Sequence, residues 1–377
     1  MMAPPYRSYV LVSLDRIARN YRNVCAAVGA GVEVMAVVKA DAYGHGALAV
    51  SRTLERQGAK WLAVSSVDEG VTLRLAGIAA RILVMAGFLP QEQEALIEYD
   101  LTPTAHSLED IAELDRLASK SAGQPLAFHL KIDSGMGRLG TRAEPADIVA
   151  ALGQLRHARI EGLMTHFASA ADFTSPQTDQ QLVRFHAILA GLHDAGIGID
   201  YIHTSSTNAI GYARKDAWHN MVRAGHALYG YLSPARGAGP QPILDVQPAL
   251  TWKAKILAVK DIPEGTLVGY GGTFRAPSAM RIAILGAGYA DGVFHRLSNR
   301  GKVIAAGKIA PILGTISMDV TTIDVSQAPE LKPGDDVTLL GSEGDARLDA
   351  QQIARVAGTI SYNILSSISA RVRRVYM

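Results

Sequence analysis

Eight short apolar runs, each separated from the next by enough chain for a helix, constrain this sequence more than any other feature. They are Val32–Val38, Trp61–Val64, Arg81–Met85, Leu101–Thr104, Ala127–Ile132, Glu161–His166, Tyr201–His203 and Met221–Arg223, all before about residue 230. Continuous apolar runs of this length suit strands buried on both faces. Helical spacing fills the gaps. Ile17, Tyr21, Val24, Cys25 and Val28 share one face ahead of the first run, and Ile111, Leu114, Leu117 and Ala118 share another. Leu182, Phe185, Ile188, Leu189 and Leu192 repeat the pattern later. Ser66–Glu69 and Ser107–Asp110 fit capping boxes that open helices directly after strands. Alternating strands and helices build a parallel sheet, and eight such units close a (β/α)8 barrel of the TIM type. An open doubly wound sheet is the competing arrangement.

After the Gly/Pro-rich stretch 237–242 the periodicity changes. Ile256–Val259, Thr266–Val268, Arg281–Leu285, Val303–Ala306, Ile309–Leu313, Thr321–Val325 and Val337–Leu340 are strand-like, with tight-turn signals at Pro263–Gly265 and Pro333–Asp335. A helix is expected over Ala350–Ala357. The expected division is a barrel domain over 1–240 and a mostly antiparallel β domain over 241–377, which suits a chain of 377 residues. Composition then removes several classes of function. The net charge of +2 lacks the basic excess of a nucleic-acid protein, and one cysteine, Cys25, rules out a disulfide framework or a Cys-based metal site within one chain. Cys25 lies on the apolar face of the first helix and reads as packing. Met1–Ser13 lacks the apolar core of a secretory signal, and no uncharged stretch reaches the ~18 residues of a membrane span. A cytoplasmic protein without nucleic-acid or membrane partners is expected. The eleven histidines include no His-Glu-x-x-His pair, so no metal is expected.

In a barrel, chemistry gathers at the C-terminal ends of strands. Lys39 stands there, directly after Val34–Val38. Desolvation favours a neutral amine, so such a lysine can act as a nucleophile or Schiff-base partner; alone it reads more readily as a solvated strand end. Lys131 and Arg138 sit in the glycine-framed segment 129–140, where two cations suit an anion such as a substrate carboxylate. The loops after the seventh and eighth runs, 203–208 with Ser206 and Thr207 and 225–226 with Gly225 and His226, offer hydroxyls and backbone N–H groups to a phosphate.

The segment Lys39-Ala-Asp-Ala-Tyr43-Gly-His-Gly46 resembles the cofactor-lysine motif of the alanine racemases, fold-type III pyridoxal-phosphate enzymes, and the resemblance runs nearly the whole chain. It implies pyridoxal 5'-phosphate as cofactor, held by Lys39, Tyr43, His166, Ser206, Thr207, Arg223, Gly225, His226 and Tyr362. It places Arg223 at the pyridine nitrogen with His166 in contact, and Arg138 on the substrate carboxylate near the catalytic phenol. Lys131 matches a position often carbamylated in the family. Tyr270 matches the catalytic tyrosine, Met318 a residue whose backbone N–H meets the carboxylate, and Tyr289 and Asp319 the entrance. The implied activity is interconversion of L- and D-alanine by two bases, Lys39 and Tyr270, on opposite faces of Cα, supplying D-alanine for peptidoglycan. The implied assembly is a head-to-tail homodimer with composite sites. Ser206, His226 and Ser317 depart from the family pattern, so a broader or serine-preferring racemase stays open. A non-catalytic pyridoxal-phosphate carrier and a basic amino-acid decarboxylase are weaker alternatives: the carrier lacks the second domain, and no cysteine follows Cys25 for the decarboxylase role.

Overall fold

The computed structural model describes residues 5–120 and 125–377. The strands are β1 (Ser8–Val12), β2 (Glu33–Val37), β3 (Trp61–Val64), β4 (Arg81–Val84), β5 (Thr102–Ala105), β6 (Leu126–Lys131), β7 (Ala158–Met164), β8 (Tyr201–His203) and β9 (Met221–Ala224). Then follow β10 (Leu250–Ile262), β11 (Leu267–Val268), β12 (Phe274–Arg275), β13 (Met280–Leu285), β14 (Lys302–Ala305), β15 (Lys308–Leu313), β16 (Thr321–Asp324), β17 (Asp336–Glu343), β18 (Ala346–Leu348) and β19 (Arg373–Tyr376).

Each of the eight apolar runs contributes one strand, β2 to β9, to a single parallel sheet ordered β8-β7-β6-β5-β4-β3-β2-β9. The two ends meet through a parallel bridge between Ser206 and Arg223, where the Arg223 N–H donates to the Ser205 carbonyl at 2.9 Å. The sheet is therefore a barrel. Helices cover its outer face with the stripes that the sequence marks: Ile17, Tyr21 and Val24, then Ile111 and Leu114, then Phe185 and Ile188 are all buried. Cys25 is only half-buried, on the edge of its stripe.

The second unit is mostly antiparallel, as its turn signals suggest. Strands β10, β13, β16, β15, β14 and β17 follow one another, and β17 pairs back onto β10. Its long strand β10 alternates buried and half-buried residues over Leu250–Ile256, the period-2 pattern of a strand with one face in a core. The helix Ala350–Ala357 forms with Asp349 as its cap, accepting from the Gln352 N–H at 2.9 Å.

The division of the chain differs from a cut at 240/241. Residues 5–15, and Tyr43–Gly46, belong to the second unit, and the barrel unit runs on to Gln247. Both shifts have local causes. Strand β1 lies between β10 (antiparallel, Val10 opposite Trp252) and β19 (parallel, Val10 opposite Arg374). At the other end, the Asn20 and Asn23 side chains donate to the carbonyls of Gln247 (2.9 Å) and Asp245 (2.6 Å), tying the segment after the Gly/Pro stretch to the first barrel helix.

Candidate active site

Every barrel residue singled out from the sequence sits beyond the C-terminal end of its strand or closes it. Lys39 follows β2, Lys131 ends β6, Arg138 lies in the loop after it, and His166 follows β7. Ser206 and Thr207 follow β8, Arg223 lies in β9, and Gly225 and His226 follow it.

Lys39 opens a helical turn, Lys39–Gly44, of left-handed sense: φ is +52° at Ala40, +51° at Asp41, +53° at Ala42 and +54° at Tyr43. Left-handed turns cost L-residues about 1–2 kcal/mol each, so the surroundings must hold this one. Glu69 does so. Its carboxylate accepts from the Ala40 N–H at 2.6 Å and the Ser65 N–H at 2.7 Å, and Asp41 accepts from the Ala47 N–H at 2.7 Å. Glu69 therefore serves the turn after Lys39 and does not close a capping box with Ser66, whose side chain makes no cap bond. At the other expected box, Ser107 does cap, accepting from the Asp110 N–H at 3.0 Å, while the Asp110 carboxylate reaches the His106 N–H instead of its cap partner.

The segment carrying Arg138 is organised by Asp133. One carboxylate oxygen accepts from the N–H groups of Gly135, Met136 and Gly137, and the other from Arg142 at 2.8 Å. Burial opposes this charge, yet the Gly137 N–H and the Arg142 guanidinium pull the carboxyl down to about 2. The loop closes where Thr141 exchanges backbone bonds with Lys131 and Asp133. Gly140 sits there at φ +118°, and a Cβ would lie 2.6 Å from the Asp133 nitrogen. Arg138 itself is exposed.

Four cations and a histidine act on one another across this end of the barrel. Burial, then the Arg138 charge, lowers the Lys39 amine, with Glu69 opposing. Burial, then Arg223, Arg138 and Lys39, brings Lys131 down to about 8. Burial and Arg223 hold His166 well below its ordinary range, so it is neutral at pH 7. Arg223 is fixed atom by atom. Its Nη1 donates to His203 Nδ1 (2.8 Å) and the His203 carbonyl (2.6 Å); its Nη2 donates to the Thr165 carbonyl (2.6 Å) and meets His166 Nδ1 at 3.3 Å. Among the described residues its Nε–H has no acceptor, which leaves one donor for a ligand. Burial drags this guanidinium down to about 9, still charged at pH 7.

The two loops expected to receive a phosphate are tied together. The Thr207 hydroxyl accepts from the N–H groups of Gly225 (3.1 Å) and Ala227 (3.2 Å). The Gly225 amide is thus already engaged, whereas Thr207 keeps an O–H to donate. His226 is buried and stacked on Tyr231 with ring centroids 5.1 Å apart.

The second unit gathers its own set. Tyr43 and Tyr362 approach with ring centroids 6.1 Å apart, and burial, then Tyr362, raises the Tyr43 phenol. Gly44 lets this segment approach the C-terminal helix, since a Cβ there would lie 2.4 Å from the Leu365 carbonyl oxygen. Tyr270, Tyr289 and Met318 lie in loops knitted to one another: the Thr315 hydroxyl donates to the Tyr270 carbonyl, and the N–H groups of Tyr289 and Ala290 donate to the carbonyls of Ser317 and Met318. Their side chains are 74 %, 45 % and 52 % exposed. Asp319 is paired with Arg371 at 2.7 Å. Among the described residues no cluster of His, Cys, Asp and Glu suits a metal ion, and no helix is long and apolar enough to cross a membrane.

A barrel whose mouth joins a desolvated lysine to convergent cations, with hydroxyls and one spare guanidinium donor beside it, defines a pyridoxal-phosphate enzyme of the barrel type. The family description "Alanine racemase, N-terminal domain" matches residues 12–233, and "Alanine racemase, C-terminal domain" matches 249–376. An alanine racemase of Halothermothrix orenii is 41% identical over 97% of this chain and 95% of its own length. The Bacillus anthracis alanine racemase structure with bound L-Ala-P is 34% identical with a TM-score of 0.90, covering 100% of this chain and 96% of that one. The Bartonella henselae alanine racemase structure, with covalently bound pyridoxal phosphate, is 26% identical with a TM-score of 0.87, covering 99% and 100%. The chain belongs to the alanine racemase family, and its activity is the isomerase reaction of that family, pyridoxal-phosphate-dependent racemisation of alanine.

The sequence alone gives Glu69 only the role of a cap partner, and gives none to Asp133, His129, Glu161 or His203. The signal for the last three was present: each is a charged or imidazole side chain inside a run otherwise built for burial.

Proposed function

We propose that racemisation runs through two bases on opposite faces of the substrate Cα: Lys39 of one subunit and Tyr270 of the partner subunit. Removing a proton from one face and delivering one to the other needs a group on each side. The observation that carries this reading is the pair of environments. Lys39 is desolvated among cations, which favours the neutral amine able to take a proton. Tyr270 is 74 % exposed, on loops that also carry the exposed Tyr289 and Met318, which leaves the phenol available to another surface.

The chain's residues fit the cofactor. Lys39 would hold its aldehyde carbon, Thr207 and Ser206 would offer hydroxyls to its phosphate, Tyr43 and Tyr362 would supply phenols, and the spare Nε–H of Arg223 would serve its ring nitrogen. When bound, the group supplies an electron sink for the carbanion at Cα. A fixed guanidinium, itself a donor, would keep the ring nitrogen unprotonated, which would limit that sink and disfavour transamination. Arg138 holds the substrate carboxylate and the Met318 N–H of the partner subunit meets it. Lys131, with a pKa of about 8, has a usable neutral fraction for carbamylation, and a carbamate there would place an anion among Arg223, Arg138 and Lys39. Cytoplasmic racemisation of this kind supplies D-alanine for peptidoglycan. Tyr289 and Asp319 stand at the entrance, with Ser317 next to Met318 in the same segment.

Hybrid dimers test the assembly and the two bases together. One subunit carries Lys39→Ala, the other Tyr270→Phe, and differently tagged copies isolate the hybrid. A composite site reunites wild-type Lys39 with wild-type Tyr270 once per dimer, so the hybrid recovers about half the wild-type rate while each parent stays inactive. A hybrid as inactive as its parents would place both bases in one chain and sink the reading.

A further inference from the structure

Barrel interiors are filled by layers of Val, Ile and Leu. Here a polar column occupies part of that space: Glu161 of β7, His129 of β6, His203 of β8 and Arg223 of β9, none more than 3 % exposed. Buried polar groups persist where each is satisfied, and the pattern of satisfaction has one solution.

A guanidinium only donates, so His203 Nδ1, 2.8 Å from Arg223 Nη1, must present a lone pair. A neutral His203 then carries its proton on Nε2. That atom lies 2.8 Å from His129 Nδ1, which must accept in turn. His129 is left with its proton on Nε2, 3.7 Å from the Glu161 carboxylate, a charge–dipole contact and not a hydrogen bond. Reversing the order would set two donors against each other at the Arg223 end. Burial holds both imidazoles below their ordinary range, with Arg223 adding to it at His203, so neither relieves the chain by becoming doubly protonated. Glu161 is kept as the acceptor at the far end. Arg81 grips both its oxygens (2.8 and 2.6 Å), Arg159 adds a bond at 2.9 Å, and Arg81 stacks 4.0 Å over the Trp61 ring. Gly162 makes room for the column, since a Cβ would lie 2.5 Å from the His129 ring.

We propose that Glu161 is a positioning residue for Arg223, acting through His129 and His203. Its charge favours the same Nε2–H form of both rings that Arg223 demands from the other end, and with both ends agreeing Nη1 of Arg223 is locked so that the Nε–H stays aimed at the cofactor nitrogen. The proposal rests on the reading that Arg223 faces the cofactor.

The test has two arms. In the cofactor-free protein, ¹⁵N-histidine NMR with His129→Asn and His203→Asn for assignment reads the tautomers. The expected result is Nε2–H at both rings, lost as a single form in Glu161→Gln. An Nδ1–H form or an imidazolium at either position in the wild type overturns the proposal. In the loaded enzyme, Glu161→Gln shifts the cofactor absorption band and lowers kcat about 10-fold with KM changed less than about two-fold, the scale of outer-shell orienting groups. A lowered Tm with kcat and the band unchanged makes Glu161 structural only and overturns the proposal. Glu161→Asp keeps the charge and is expected to fall between, which preserves the test where Glu161→Gln does not fold. Arg223→Lys separates the two levels. An altered band in Arg223→Lys beside an unaltered one in Glu161→Gln removes the relay alone. An unaltered band in Arg223→Lys removes the placement of Arg223 and the relay with it.

Discussion

The two units of this chain treat their chemical residues in opposite ways. In the barrel unit all but the exposed Arg138 are buried or half-buried, and several are bonded to one another: Arg223 makes contacts to His203, His166 and Thr165, and Thr207 ties one loop to the next. In the second unit Tyr270, Tyr289 and Met318 are held by backbone bonds while their side chains stand in solvent. The difference teaches where precision is required. Groups that set a cofactor's electronics gain from a low dielectric and a fixed geometry. A group that, as proposed, is supplied to another surface needs only a rigid loop to carry it.

The contrast predicts unequal costs. Lys39→Ala removes the cofactor's anchor and one base together, so racemisation falls by at least ~10³-fold in D-alanine assays, and the protein-bound cofactor absorption is lost. Retention of both activity and absorption would refute the role of Lys39. Tyr270→Phe removes a single base, with an expected loss of about 10²–10³-fold. Because that side chain is exposed, stability should change by less than about 0.5 kcal/mol. A large drop in Tm would mean that the second unit depends on the phenol for its own packing, erasing the distinction between the units. Gly162→Ala reverses the pattern. It adds one methyl where the His129 ring already lies within 2.5 Å, and overpacking of this kind costs about 1–3 kcal/mol, read by urea unfolding. An unchanged midpoint would show that the polar column has slack.

Legibility in the sequence followed the same division. The barrel strands were readable because each apolar run serves one strand buried on both faces, and the placement of Lys39, Arg138 and Arg223 at the barrel mouth was readable because they stand in glycine-framed segments at strand ends. Strand β1 was not, because Tyr9–Val12 carries no sign of which partners, 238 or more residues away, would pair with it. Glu69 read as a cap from spacing alone. In the fold the left-handed turn at Ala40 competes for the same carboxylate and wins, since an unpaired N–H in a strained turn costs more than an unclosed cap. His129 and His203 gave a signal, polar residues in buried runs, but their order as donor and acceptor exists only once three strands align.

The smallest expected effect is also the one whose sign is least intuitive. Lys131 titrates at about 8 in the folded chain, lowered first by burial and then by Arg223, Arg138 and Lys39, against ~10.4 when unfolded. Between about pH 8 and 10 the unfolded chain binds more protons, so this residue makes stability rise with pH across that window. Below about pH 8 both states are protonated and the cost of holding the cation is present in full. Lys131→Met therefore stabilises the cofactor-free protein at pH 7 and flattens the rise between pH 8 and 10 in urea titrations. Added bicarbonate should act on the wild type in the same direction, since a carbamate removes the cation, and leave Lys131→Met unaffected. A variant less stable than wild type at pH 7, with the pH 8–10 slope intact, would mean that the amine is already matched by an anion and that the barrel mouth is not the cation-rich region its geometry describes.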